Sequence, residues 1–175
     1  MGSVSRGDKH AFGILVRRHV DSLYRYALRL TGSSDNAEDL VQETWLAVWQ
    51  NANRYRPNKA SLSTWMHRIL HNKFIDGRRR WRGEPNHIPA DTADTQQHSA
   101  WQSATPSEPD LMPRLNSLLS ALPENQRAAL TLAHIQGFSN KEVAHILRVS
   151  VRAAESMVAR ARRTLREQLT DELEN

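Results

Sequence analysis

A chain of 175 residues, 39% of them hydrophobic, has room for one large domain or two small ones but not for a thick core. Its formal net charge of +5 and pI near 10.1 favour a polyanionic partner. The absence of cysteine excludes a disulfide framework, a thiolate zinc site and a thiol redox switch. No apolar run approaches the roughly 20 residues of a membrane span. The start of the chain lacks the apolar segment of a secretory signal, so a cytoplasmic location is expected.

Charge divides the chain into three. Residues 1–81 carry 14 Lys/Arg against 7 acids, residues 82–110 one Arg against five acids, and residues 111–175 nine Lys/Arg against seven acids. The middle block has four prolines, many polar residues and no apolar period. It predicts a flexible acidic linker between two helical domains.

In the first block, Phe12, Leu15, Val16, His19, Leu23, Tyr26, Ala27 and Leu30 follow the three-and-four spacing of a buried helical face. Thr31-Gly32-Ser33-Ser34 ends that helix. Ser34 or Asp35 is expected to cap the next, which runs to about Gln50 with Leu40, Val41, Trp45, Val48 and Trp49 inward. Asp39, Gln42, Glu43 and Leu46 then face outward, an acidic surface with an apolar spot. Residues 51–60, with Pro57, predict a loop. Ser61 or Ser63 starts a third helix reaching about Arg80.

At 100° per residue, this third helix has two faces. Leu62, Met66, Ile69, Leu70 and Lys73 form one side, the expected core stripe. Trp65, Arg68, Asn72, Ile75 and Arg79 fall within roughly an 80° arc on another. Aromatics stack on unpaired bases, cations follow the backbone, and an exposed amide bonds a base edge. Read without context, the same pattern also suits an inward Trp65 with merely solvated charges.

Residues 139–163 carry the sharpest signal. Ser139-Asn140-Lys141-Glu142 is a capping box opening a short helix with Val143, Ala144 and Leu147 on its apolar face. Arg148-Val149-Ser150 makes a tight turn, and Ser150 caps a second helix running from Val151 to about Leu169. Small Ala144 lets the helices cross closely. Arg160, Arg162, Arg163 and Arg166 supply cations for phosphates flanking a groove. The pattern is a helix-turn-helix; its bland alternative is a helical hairpin with a solvated basic face.

Taken together, the motifs resemble one family. Ala37-Glu38-Asp39-Leu40-Val41-Gln42-Glu43-Thr44-Trp45, then Ser63-Thr64-Trp65-Met66-His67-Arg68-Ile69-Leu70-His71-Asn72, then Leu122-Pro123-Glu124-Asn125-Gln126-Arg127, then the helix-turn-helix, resemble the bacterial sigma factors of the extracytoplasmic-function (ECF) type. The resemblance implies an all-α chain: region 2, a helical bundle over residues 1–81; a flexible linker over 82–110; and region 4 over 111–175. It implies binding to the RNA polymerase core, at the clamp helices of the largest subunit and the flap of the second largest, followed by promoter recognition and opening.

Carried over by position, Asp39, Gln42, Glu43 and Leu46 would grip polymerase. Asn72 would read an extruded −10 base, Trp65 would belong to the melting segment, and Arg68, Lys73, Arg78, Arg79 and Arg80 would hold phosphates. Ser150, Arg152, Glu155, Ser156, Ala159, Arg160 and Arg163 would face the −35 groove. The chain departs from the pattern at Glu155, where a basic residue is usual, at Met157, where Arg is frequent, and at Arg148, where many members have Gly. Glu155 would favour a cytosine amino group over a guanine edge. The resemblance also implies an anti-sigma partner, often at the inner membrane. A monomer is expected before assembly. The acidic linker would thread the RNA exit path or act as a plain tether, with Trp101 as an anchor.

Other classes find less support. His67 and His71 stand at i and i+4, a metal-binding spacing, but no Glu follows His67 and no third ligand is near in sequence. There is no Gly-rich phosphate loop and no nucleophile–base pair, so neither a cofactor nor enzyme activity is expected. A two-domain helix-turn-helix regulator with a sensor domain would not need the Trp65–Arg80 stripe. A module that sequesters another regulator would leave the helix-turn-helix vestigial.

Overall fold

The computed structural model describes residues 1–82 and 111–174. Among them are seven α-helices and no strand: α1 (Lys9–Thr31), α2 (Ser34–Gln50), α3 (Leu62–Arg82), α4 (Leu111–Ser120), α5 (Glu124–Leu130), α6 (Asn140–Leu147) and α7 (Val151–Glu174). No helix among the described residues is long and apolar enough to cross a membrane. The acidic stretch and Trp101 lie outside them.

Helix ends follow local chemistry. Asp8 caps α1 by accepting from the Ala11 amide at 3.0 Å, and Gly32 closes it in the left-handed region (φ 69°), its N–H on the Leu28 carbonyl. The cap of α2 is Ser33, one residue before the two expected candidates. Leu15, Leu23, Tyr26, Ala27 and Leu30 of α1 pack on Leu40, Val41, Trp45 and Val48 of α2. Phe12 meets Trp45 and Trp49 edge-on at 5.8 and 5.0 Å, a geometry that adds to burial. Ser61 starts α3 by accepting from the Thr64 amide at 3.2 Å. The loop before it holds a short 3-10 turn, Ala52–Arg54.

The core face of α3 differs from the expected stripe. Met66, Leu70 and Phe74 are buried, and so are Thr64, His67 and His71. Lys73 is instead partly exposed, its ammonium 3.4 Å from Glu43. The buried arc is turned toward the histidines because a second layer covers that side. His71 Nδ1 shares a 3.0 Å hydrogen bond with the Tyr26 hydroxyl. His67 Nδ1 lies 2.8 Å from the Ser63 carbonyl, which only accepts, so Nδ1 carries the proton and Nε2 faces Ser22 Oγ at 3.4 Å. Both rings are thus engaged inside the protein.

The C-terminal bundle closes on Leu119, Leu122, Leu130, Leu132, Val143, Ile146, Ala154, Val158 and Ala161. The capping box of α6 is complete: the Ser139 hydroxyl accepts from the Glu142 amide, and Glu142 Oε2 accepts from the Ser139 amide at 3.0 Å. Ser150 caps α7, accepting from the Ala153 amide at 3.1 Å. Nearly shielded Ala144 and fully buried Ala154 let α6 and α7 cross closely. α7 runs past Leu169 to Glu174, since no Gly or Pro stops it.

Arg148 ends α6 in the left-handed region (φ 60°, ψ 41°), the one described residue other than glycine with positive φ. That conformation costs an L-residue roughly 1–2 kcal/mol. Glycine removes the strain but gains freedom in the unfolded chain, which offsets part of the benefit. Arg148→Gly is therefore expected to stabilise by about 0.5–1 kcal/mol, seen as a thermal midpoint a few degrees higher. A lower midpoint would show that the arginine's contacts outweigh its backbone strain.

The two bundles are in direct contact. α6 lies on α3, and α5 meets α1. Arg127 of α5 donates to the Leu30 carbonyl at 3.2 Å, satisfying an orphan acceptor at the end of α1.

Candidate polymerase and nucleic-acid surfaces

Three surfaces carry the candidate residues. On α2, residues 39, 42, 43 and 46 follow helical spacing with their buried neighbours turned inward. Asp39, Gln42, Glu43 and Leu46 are all exposed, Leu46 at 62%. An apolar side chain so open, ringed by two carboxylates and an amide, has no role in its own core. Glu43 pairs with Lys73 across two half-open side chains, a screened contact worth little. Lys73 therefore sits at the border of the α2 surface rather than free for a phosphate.

On α3, Trp65, Arg68 and Asn72 do come together. With Ala47, Asn51, Arg54, Ile69 and Arg148 they line a cavity of about 340 Å³. Trp65 is half-buried, tilted against Tyr55 with centroids 5.4 Å apart. The sequence left open whether Trp65 turned inward or outward; it does both, resting one side on Tyr55 and lining the cavity with the other. Arg78 is not free: it forms an ion pair with Glu124 of α5, and its guanidinium lies 5.9 Å from the Phe74 ring centroid. Arg79 is half-buried, and the Arg80 side chain lies outside the described ones.

On α7, Ser150, Arg152, Glu155, Ser156, Ala159, Arg160 and Arg163 are all exposed, opposite buried Ala154, Val158 and Ala161. The helix presents one continuous polar face bearing three guanidiniums and one carboxylate.

Arg54, Asn51 and Arg148 belong to the cavity but escaped the helical pattern, because they sit at helix ends and turns where periodicity carries no information. Arg68 has its pKa lowered by burial and then by the Arg148 guanidinium. None of the residues lining the cavity is a carboxylate. Leaving aside Arg148, which comes from the second domain, an indole, two carboxamides and two guanidiniums suit a base with its phosphate.

Comparison with known proteins places the chain in a family. Residues 15–83 match the model of Sigma-70 region 2, and residues 113–165 that of Sigma-70 region 4. The chain is 35% identical to the ECF RNA polymerase sigma factor SigE of Mycolicibacterium smegmatis over 89% of its length, and spans 60% of that relative. It is 31% identical to the ECF sigma factor SigM of Mycobacterium tuberculosis, covering 91% of this chain and 77% of SigM. Among solved structures, CnrH in complex with the cytosolic domain of CnrY superposes with a TM-score of 0.71 at 28% identity, covering 97% of this chain and 94% of the other. The sigma factor RpoE of Bartonella quintana, in complex with the anti-sigma factor NepR, gives 0.69 at 25% identity, covering 91% and 97%. The chain belongs to the ECF family of RNA polymerase sigma factors. A match to region 2 across α1–α3 disfavours a regulator with a separate sensor domain.

Proposed function

We propose that this chain is a promoter-specificity subunit that acts in the cytoplasm and has no catalytic step of its own. Its domains are residues 1–81, the linker 82–110, and residues 111–175. Asp39, Gln42, Glu43 and Leu46 dock on the clamp helices of the polymerase core, and the second domain engages the flap. Trp65, Arg68 and Asn72 take up an unpaired −10 base, with Arg79 and Arg80 along the backbone, joined by Lys73 and Arg78 once phosphates displace Glu43 and Glu124 from them. Ser150, Arg152, Glu155, Ser156, Ala159, Arg160 and Arg163 read the −35 duplex.

The observation that carries this reading is the α3 cavity, where indole, amide and guanidinium converge without a carboxylate. Opening a duplex costs about 1.4 kcal/mol per base step. Stacking a captured base recovers roughly 1–3 kcal/mol, so the cavity offsets part of melting without hydrolysis. Two modest DNA contacts gain avidity once polymerase fixes their spacing. An anti-sigma partner, as in the complex of RpoE with NepR, would act by covering these surfaces.

Run-off transcription with purified core on a bacterial promoter library tests the proposal. Transcripts should appear only with the protein and fall roughly 10- to 100-fold with Asn72→Ala, the worth of one base contact. Selection from a randomised −35 region should change with Glu155→Ala. Tight duplex binding with no transcripts would overturn the proposal, and a −35 preference indifferent to Glu155→Ala would remove the role of that carboxylate.

A further inference from the structure

We propose that the cleft between the end of α1 and the corner of α4 and α5 binds a phosphate-sized oxyanion, held by Arg29 and Arg127. Leu28, Arg29 and Gly32 form one wall and Leu119, Ser120 and Arg127 the other, around about 60 Å³. At roughly 10–15 Å³ per water, that space takes one small tetrahedral oxyanion and is too small for a base. None of the lining residues is a carboxylate, and none is shared with the α3 cavity.

Two cations meet here without enough counter-charge. The Nε of Arg29 and the Nε of Arg127 are both buried with no acceptor among the described residues. A buried donor left unpaired costs stability, and more so on a charged group. Arg29 reaches the Arg25 carbonyl only at 3.4 Å, and Arg127 reaches that of Leu30 at 3.2 Å. Burial lowers the pKa of Arg29, and the Arg25 guanidinium one turn back lowers it further. Burial lowers that of Arg127 as well; Glu124 opposes the shift and Arg78 adds to it. Glu124 is already the ion-pair partner of Arg78. Four guanidiniums therefore share one carboxylate, and it is taken.

The carbonyls that end α1 would repel an anion. Those of Ala27, Leu28 and Leu30 are already covered by the Thr31 hydroxyl, the Gly32 amide and Arg127. Ser120 adds little, since its hydroxyl donates to the Ser117 carbonyl at 2.6 Å. Gly32 keeps the rim open, with no atom within 4 Å of where a Cβ would stand. An oxyanion on the open edges of both guanidiniums supplies the missing charge, and charge-assisted bonds to arginine are the strong kind. Arg29 belongs to the first bundle and Arg127 to the second, so one ion bridges both and its concentration sets part of the stability of the chain.

The test melts the full chain at fixed pH and ionic strength while chloride is replaced by inorganic phosphate. Calorimetric titration then measures affinity for phosphate and for a nucleoside 5′-monophosphate. We expect a saturable rise in thermal midpoint. Arg29→Gln should weaken binding roughly tenfold or more, the loss of one charge-assisted hydrogen bond. Arg29→Lys, which keeps the charge but not the fork, should fall between. In chloride alone, Arg29→Gln should melt no lower than the parent, because it removes a charge crowded by Arg25; an arginine with a purely structural role would lower the midpoint. Arg166→Gln, exposed on α7, should leave phosphate affinity unchanged. Binding of phosphate alone marks a free ion as the ligand. Equal or tighter binding of the mononucleotide marks a phosphoryl group whose nucleoside stays outside the cleft; both results support the site. No saturable binding of either overturns it, as does an affinity that survives Arg29→Gln. A linear rise shared by that variant is the general effect of an excluded salt and counts against the site. Binding lost with Arg54→Gln instead would put the ion in the α3 cavity and overturn the proposal.

Discussion

Leu46→Glu is expected to abolish capture of the polymerase core and to leave the fold intact. Leu46 is 62% exposed at the centre of the outward face of α2, and its neighbours Asp39, Gln42 and Glu43 are exposed with it. Burying a leucine in an interface yields roughly 1.5–3 kcal/mol. A glutamate there loses that term and adds an unpaired charge to a desolvated patch that is already acidic, at a cost of several kcal/mol more. A loss of at least about 100-fold in affinity follows, by 1.4 kcal/mol per factor of ten. Titration of labelled protein with core measures it, and an unchanged thermal midpoint shows that folding is spared. Wild-type affinity would move the docking surface off α2.

Acid weakens the fold between pH 6.5 and 4. A histidine in the unfolded chain takes up a proton near 6.5. Burial pushes His71 down to about 4, and pushes His67 down to about 4 against weaker opposing hydrogen bonds from Ser63 and Ser22. Below pH 6.5 the unfolded chain therefore holds more protons than the folded one. Stability is complete above 6.5, falls as pH drops toward 4, and loses at most roughly 3 kcal/mol per ring. That is a large part of the 5–15 kcal/mol typical of a domain. His19 and His145 shift in the same direction, first by burial and then by Arg18 and Arg68 respectively. Urea midpoints at pH 7.5, 6.5, 5.5 and 4.5 check the slope, and His67→Gln/His71→Gln should flatten it. A flat wild-type profile would show that the two rings take up protons in the fold as readily as in the unfolded chain.

Much of this architecture is written in local pattern. The amphipathic faces of α1 and α2, the capping box at Ser139 and the outward α2 surface all depend on residues a few positions apart. Sequence spacing therefore reports them directly. On the inner face of α3, sequence spacing is off by about one position: it puts Lys73 in the core stripe and leaves His67 and His71 as a pair at metal-binding spacing. The rings are buried because Tyr26 and Ser22 of α1 face them and Phe138 covers His67, and these partners lie far away in the sequence. The junction was illegible for the same reason. Ser22, Arg127 and Gln136 belong to no repeat, and their bonds span 97 to 114 positions. The pair between Arg78 of α3 and Glu124 of α5 is equally invisible to local spacing.

The carboxylate of Glu142 divides its labour between two oxygens. Oε2 closes the cap of its own helix, while Oε1 reaches Thr64 on the other domain. Separating the domains surrenders only the second bond, so α6 departs with its first turn still satisfied. The cap of α6 would therefore survive a separation of the two bundles. Such rigid-body rearrangements run in microseconds to milliseconds, so the tempo of engagement would be set by encounters between molecules rather than by any internal repair of structure.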